Sequence, residues 1–463
     1  MINIKIPHSF MSNEIDYTIE VVFKEFLGIN YKIETVGEGV LIISHQGSDK
    51  ELKIHSVFFK NSLMSKMDLS SLPPLPLSKL NCSALELGPL FDTIPILYGN
   101  DLVFSTDDSI TLGIDIFGSI FYMLSRFEEL VVDKRDNHDR FPAVQSLAFK
   151  EGFLERPIVD EYIELLWACM KSLWPEMQRT KRLPKMLVSC DVDQPFDTTI
   201  KKLSSLIRTC SGDLIKRRSF REAAYRLRRY ACNKLGDYRF DSNYTFDWYM
   251  DSCERAGLKV SFYFIPSSIE ANNGEYELAE SGIENLLLKI HSRGHEIGVH
   301  GSYQTYLDGT KLLEQKMMLE STLKRIGINQ IIKGNRQHYL RWSSEVTPEL
   351  LEKAGFEYDS TGGYADRAGF RYGTAHEFSM WGWQSRKKLT LKQRPLIVME
   401  NTIIEDCYMG LGKGEVCIER VRGLNAAASM YNGNFSLLWH NSSLGTGLDK
   451  ELFLQCIPGA ATS

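Results

Sequence analysis

From Lys185 onward, short apolar runs alternate with amphipathic helical runs, and polar residues follow several of the apolar ones. The spacing predicts strands over Met186–Cys190, Val260–Ile265, Glu296–Val299, Gln330–Gly334, Leu396–Met399 and Phe435–Trp439. Between them, Lys311–Ile326 carries Leu312, Leu313, Met317, Leu319, Leu323 and Ile326 at helical spacing and stops at Gly327. Thr347-Pro348 opens a short helix closed by Gly355, and Glu415–Tyr431 reads as another, ending at Asn432-Gly433. Alternating strand and helix implies a parallel sheet covered by helices, either open or closed into a barrel. In both arrangements chemistry gathers at the carboxyl ends of strands.

Ser189-Cys190-Asp191-Val192-Asp193-Gln194-Pro195 continues the first of these strands. Side chains alternate along a strand, so Asp191 and Asp193 point to one side. Two carboxylates so close repel, and desolvating both is costly unless a cation or shared proton intervenes. The pair therefore predicts a metal, a proton or both. Four more clusters follow: Gly294-His295-Glu296-Ile297-Gly298-Val299-His300, Asn335-Arg336-Gln337-His338, Tyr358-Asp359-Ser360-Thr361 through Asp366, and Leu437-Leu438-Trp439-His440-Asn441. His295 and His300 are an odd number of residues apart, which puts them on opposite faces of a strand; His300, at the carboxyl end, is the better ligand. A guanidinium such as Arg336 near the Asp pair would keep one carboxylate ionised and oriented.

The 463 residues suggest two or three domains, and a charge of -5 argues against a general nucleic-acid binder. No apolar run is long enough to span a bilayer, Met1–His8 lacks the apolar core of a signal peptide, and nine cysteines without C-x-x-C spacing fit reduced thiols. These features predict a cytoplasmic protein. Residues 1 to about 110 read as short strands and loops without a catalytic motif. Helical spacing begins at Ile116-Phe117-Ile120-Phe121-Leu124 and resumes after Pro157 with Ile158, Tyr162, Leu165, Leu166, Cys169 and Leu173; Lys181–Pro184 reads as a linker. The predicted division is an α+β N-terminal module with a helical connector over 1–180, then an α/β unit over 181–463.

Residues 201–234 are strongly basic, with eleven Lys and Arg (Lys202 among them) against Asp213 and Glu222. A solvated helical face is one reading. A patch for anionic lipid headgroups or a phosphorylated or lipid-linked substrate is the other.

Taken in order, the five clusters resemble the motifs of the polysaccharide deacetylases (NodB-homology domains, carbohydrate esterase family 4). The resemblance spans about residues 184–445 and is most specific in Gly-His-Glu-Ile-Gly-x-His and Leu-x-x-His. It implies a distorted (β/α) barrel in which a divalent metal, zinc first with cobalt and manganese as alternatives, activates water against an acetamide. It further implies Asp191 as general base, Asp193 and His300 as metal ligands and Arg336 as support for the base. His440 would be the acid that protonates the leaving amine, with Asp359 or Asp366 orienting it. The family's second metal histidine falls at Gln304, a neutral and poorer zinc ligand, which implies a metal that is weaker, differently chosen or absent. His338, two residues past Arg336, could lean into that gap. Tyr339, Trp342 and Tyr364 are candidates for a sugar-stacking wall or for core.

Ile116–Phe121, Arg126-Phe127-Glu128-Glu129, Arg140-Phe141 and Gly152-Phe153-Leu154 resemble an uncharacterised module that precedes such domains in bacterial surface-polysaccharide proteins. The expected function is hydrolytic removal of an N-acetyl group from an amino sugar in a surface-polysaccharide precursor. The alternatives are a deformylase or non-sugar amidohydrolase, and a degenerate barrel that binds glycan or scaffolds an assembly.

Overall fold

The computed structural model describes residues 1–60, 67–83, 91–201, 203–267, 274 and 276–458; Lys202 of the basic segment lies outside them. Two sheets organise the chain. The first has six strands, β1 (Ile2–Pro7), β2 (Tyr31–Val36), β3 (Leu41–His45), β4 (Glu51–Ile54), β7 (Gly99–Ser105) and β8 (Ser109–Ile114), in the order β2-β1-β3-β4-β8-β7; a small antiparallel pair, β5 (Lys79–Asn81) and β6 (Thr93–Pro95), stands apart. Helices Ile116–Leu124, Phe127–Val131 and Ile158–Leu173 follow. The last begins directly after Pro157, with Asp160 and Glu161 in its first turn, where acidic groups favour a helix N-terminus.

The second sheet has nine strands: β9 (Lys185–Val192), β10 (Val260–Phe264), β11 (Glu296–Gly301), β12 (Gly334–Gln337), β13 (Tyr358–Asp359), β14 (Phe378–Gly382), β15 (Lys387–Gln393), β16 (Val398–Met399) and β17 (Asn434–Leu438). Their order is β14-β15-β13-β12-β11-β10-β9-β17-β16. Every neighbouring pair is parallel except β14 with β15. The protein is thus a mixed α/β structure with a curled half-barrel sheet. The sheet ends at β14 on one side and β16 on the other, without a pairing that closes it among the described residues.

Two differences from the sequence expectation have physical causes. The strand expected at Gln330–Gly334 lies instead over Gly334–Gln337. Its side chains Asn335, Arg336 and Gln337 are polar yet fully buried, because Asn335 Nδ2 donates to Asp359 Oδ1 (2.9 Å) and Thr305 Oγ1 donates to Gln337 Oε1 (2.7 Å). Partners for Asn335 Nδ2 and Gln337 Oε1 let a polar run occupy a central strand, although Asn335 Oδ1 and Gln337 Nε2 are buried without one, and a search for apolar runs misses it. The hairpin β14–β15 was not expected either. β14 is fully buried because the N-terminal helices cover this edge: Trp381 packs on Tyr17 (5.2 Å between rings) and Phe121 (5.6 Å), and Tyr17 Oη donates to the Ser379 carbonyl (2.8 Å). Covering an edge strand blocks pairing with another chain. One hydrophobic core runs through both sheets.

A buried ion network ties the two parts together. Arg126 reaches Glu128 (2.5 Å) and Glu129 (2.9 Å), while Arg371 from beyond β13 pairs with Glu129 (2.8 Å). Arg126 Nη1 also donates to the Arg371 carbonyl (2.5 Å), and its Nη2 donates to Tyr364 Oη (2.9 Å). Burial raises the Glu129 carboxyl, but Arg371 and Arg126 outweigh it and hold the group at about 2. Folding therefore gains from this carboxylate fully above the unfolded value of roughly 4.5, and loses that gain as pH falls towards about 2, on the order of 3 kcal/mol in all. Glu129→Ala strands the buried Arg371 cation and is expected to cost about 3–5 kcal/mol at neutral pH. Denaturant unfolding of the variant and the parent at pH 7 and pH 3 checks this: the difference should shrink at the lower pH.

Candidate active site

Parallel pairing lines up the strand ends that carry chemistry. Asp191 is paired in register with Tyr263 and His300 with Arg336, and β17 runs beside β9 up to Leu438–Ser189. Asp191, Asp193, His300, His338 and His440 line one cavity of about 380 Å³ at the carboxyl end of the sheet, with Tyr339, Met399, Asn401, Tyr408 and Arg140.

Asp193 sits at the centre of three imidazoles. Its Oδ1 is 3.3 Å from His300 Nε2, and its Oδ2 is 3.6 Å from both His338 Nε2 and His440 Nε2. Asp191 lies beside it, with Oδ2 at 3.6 Å from His300 Nε2 and Oδ1 accepting from Arg336 Nη1 at 3.4 Å. Arg336 is fixed from below: its Nε and Nη2 donate to Ser360 Oγ, and its guanidinium lies over the Tyr263 ring (5.0 Å). Gly298 leaves the room for that ring, since a Cβ there would come within 2.6 Å of it.

Hydrogen bonding sets the tautomers of two histidines. His300 Nδ1 is 2.8 Å from the Arg336 carbonyl, an obligate acceptor, so Nδ1 carries the proton. In the neutral ring, Nε2 then turns a lone pair towards two carboxylates. Three acceptors meeting without a donor need a cation or a proton between them. Burial disfavours the His300 imidazolium, but Asp191 and then Asp193 raise its pKa. Burial likewise works against ionised Asp193, but His338 and His300 hold its carboxyl well below the usual range. His440 Nδ1 is 2.6 Å from Glu400 Oε1, which also accepts the His440 backbone N–H (2.9 Å). Burial again disfavours the charged ring, but Glu400, with Asp193 and Asp191 behind it, pushes His440 up to about 10.

The residues fit a divalent cation. Ligand atoms of Asp193, His300 and His338 all lie within 4.8 Å of one another. Asp193 Oδ1 is buried without a hydrogen-bond donor, and the His300 Nδ1–H···O=C bond is the arrangement that orients metal-binding imidazoles. One carboxylate and two imidazoles also form a donor set suited to zinc and related ions.

The structure does not bring every sequence candidate to this cavity. Gln304 is exposed and accepts from Arg341 Nη1 (3.4 Å); His338 stands beside Asp193 and His300 instead. Asp366 caps the turn at Ala143, accepting from the Ala143 N–H (2.8 Å) and the Val144 N–H (3.4 Å). Asp359 is bound by Asn335, Thr361 and Gln393. The carboxylate against His440 is thus neither of these but Glu400, directly after β16. Tyr339 lines the cavity in a left-handed conformation (φ 60°), its ring against His138 and His338 (4.6 Å each). Trp342 is core, and Tyr364 is buried under Arg126. His295 faces away from the cavity, with Nδ1 accepting from the Val260 N–H and Nε2 beside Glu254.

Two charged residues at the site escaped sequence reading. Glu400 was findable by the rule that picked out the others, since it follows a strand. Arg140 was not: it comes from the N-terminal part, where its Nη1 donates to the Tyr339 carbonyl (3.0 Å) while Asp136 neutralises it (2.7 Å).

A family model described as a family of unknown function (DUF7033) matches residues 2–175. No curated protein matches the chain. Among solved structures, the chain is similar to a protein described as a polysaccharide deacetylase from Mycobacterium smegmatis, at 14% identity and a TM-score of 0.37, covering 60% of this chain and 86% of that one. It is also similar to one so described from Pseudomonas aeruginosa PAO1 (16%, TM-score 0.33, 45% and 64%) and to the Puue allantoinase (16%, TM-score 0.32, 47% and 68%).

Replacing His338 and Gln304 separately distinguishes their roles. His338→Ala should weaken zinc binding by at least ~100-fold, beyond the usual cost of losing an outer-sphere partner, while Gln304→Ala leaves it unchanged. Competitive titration against a chromogenic chelator reads both.

Proposed function

We propose that this chain is a metal-dependent hydrolase that removes an N-acetyl group from an amino sugar of a surface-polysaccharide precursor. The observation that carries the reading is the pairing of two opposed proton carriers across one cluster: Asp191 held by Arg336 on one side, and His440 held by Glu400 on the other. The order of the five sequence motifs supports the same reading. The finer barrel description, a distorted (β/α) barrel of the NodB type, belongs to it too.

Asp193, His300 and His338 would hold the ion, which when bound supplies Lewis-acid polarisation and a more acidic water. Asp191 accepts the proton of the attacking water as that water's oxygen bonds the acetyl carbon. Arg336 donates to the Asp191 carboxylate and aims it. The C–N bond breaks, and His440 Nε2–H gives its proton to the departing nitrogen, so that acetate and a free amine leave. Glu400 holds Nδ1–H, which keeps Nε2 facing the cavity and favours the protonated ring. Tyr339 and Tyr408 offer rings on which a pyranose can stack.

The test is an acetate-release screen of metal-loaded protein over nucleotide-linked and lipid-linked N-acetylated sugars. Turnover that falls by about 100-fold or more in both Asp191→Asn and His440→Ala supports the assignment. Glycan binding without acetate from any of them supports the degenerate-barrel alternative.

Glu400→Gln gives an independent pH signature. The acid must be protonated, so the alkaline limb of kcat/KM marks its loss. Removing the carboxylate that raises His440 should move that limb to lower pH, with the acid limb unmoved. A pH–rate profile of the variant against the parent reads the displacement.

A further inference from the structure

The basic segment folds as a helical hairpin, Leu203–Ile215 and Phe220–Lys234. Its polarity is inverted. Charged groups make the inward contacts: buried Asp213 accepts from Arg217 and Arg226 (2.5 Å each), which ties the two helices together, and Arg229 pairs with Asp197 (2.6 Å). Leu206 and Ala223 are buried, but the other apolar side chains of the two helices face mostly out. On the first helix Leu203, Ile207 and Leu214 recur at helical spacing and are all exposed. On the second, Phe220, Ala224, Leu227 and Ala231 continue the same spacing to Leu235, every one exposed, with Phe220 at 82% and Leu235 at 86%. Water should not leave so regular a stripe uncovered.

Cations flank the stripe. Arg208, Lys216, Arg218 and Arg221 are exposed and make no ion pair among the described residues; Arg228 and Lys234 are exposed too and lie over the rings of Phe240 (4.3 Å) and Tyr230 (5.5 Å). We infer that this hairpin is a docking surface for an anionic membrane, with its apolar stripe entering the headgroup layer and its exposed cations on the lipid phosphates. A second copy of the chain is the poorer occupant, because pairing the stripes would set these cations against one another. No helix of the described residues is long and apolar enough to cross a membrane, so the contact is a surface one. The hairpin also stands at the site: Arg226 Nη1 donates to Thr199 Oγ1 (3.5 Å), next to Thr198, which lines the cavity. Docking would therefore hold the cavity mouth at the bilayer.

Cosedimentation of the full chain with vesicles tests this without any turnover, so it stands or falls apart from the hydrolase reading. Binding is expected to phosphatidylcholine–phosphatidylglycerol vesicles and not to pure phosphatidylcholine. The triple variants Phe220→Ser/Leu227→Ser/Leu235→Ser and Arg218→Glu/Arg221→Glu/Arg228→Glu should each lose at least ~10-fold in partitioning. All six positions are exposed, so both variants should keep the parent's circular dichroism and melting temperature. No binding to the anionic vesicles, or equal binding by either folded triple variant, overturns the inference. So does light scattering that shows a dimer in the parent and a monomer in the serine variant, because the stripe then belongs to a second copy.

Discussion

Parallel hydrogen bonding between neighbouring strands decides where chemistry can occur in this molecule. β9, β10, β11, β12 and β17 all run the same way, so the residues that follow them meet on one rim. A shift of one residue in any strand would turn its side chains to the opposite face. Asp191, His300 and Arg336 keep their mutual geometry because the ladder keeps register, and the buried polar contacts beneath them reinforce it.

The rim crowds like charges and imidazoles together. Asp191 and Asp193 lie side by side, three imidazoles surround Asp193, Arg336 donates to Asp191, and Glu400 favours the protonated form of His440. Groups pushed apart in proton affinity within a single cavity are what acid–base chemistry requires. The same forces offer a cation three ligands that need little rearrangement.

The N-terminal part does more than precede this site. It covers the edge strand β14, anchors Arg371 through Glu129, sends Arg140 to the cavity rim and packs His138 against Tyr339. Removing it would expose an edge, strand a buried charge and open the cavity wall together.

Much of this was legible in the sequence because it rests on local rules. Alternating strand and helix implied the parallel sheet, and polar residues after apolar runs marked Asp191, Asp193, His300, Arg336 and His440, because side-chain direction in a strand depends only on residue parity. The same locality explains what the sequence could not decide. β12 was displaced because its polar side chains are held by partners such as Asp359, more than twenty residues away. His338 rather than Gln304 stands beside Asp193, and Glu400 rather than Asp359 or Asp366 meets His440, because each choice depends on which backbone turns towards the cavity after its strand ends. Sequence spacing determined which residues could share a face; only the packing of distant strands and of the N-terminal segment decided which of them touch.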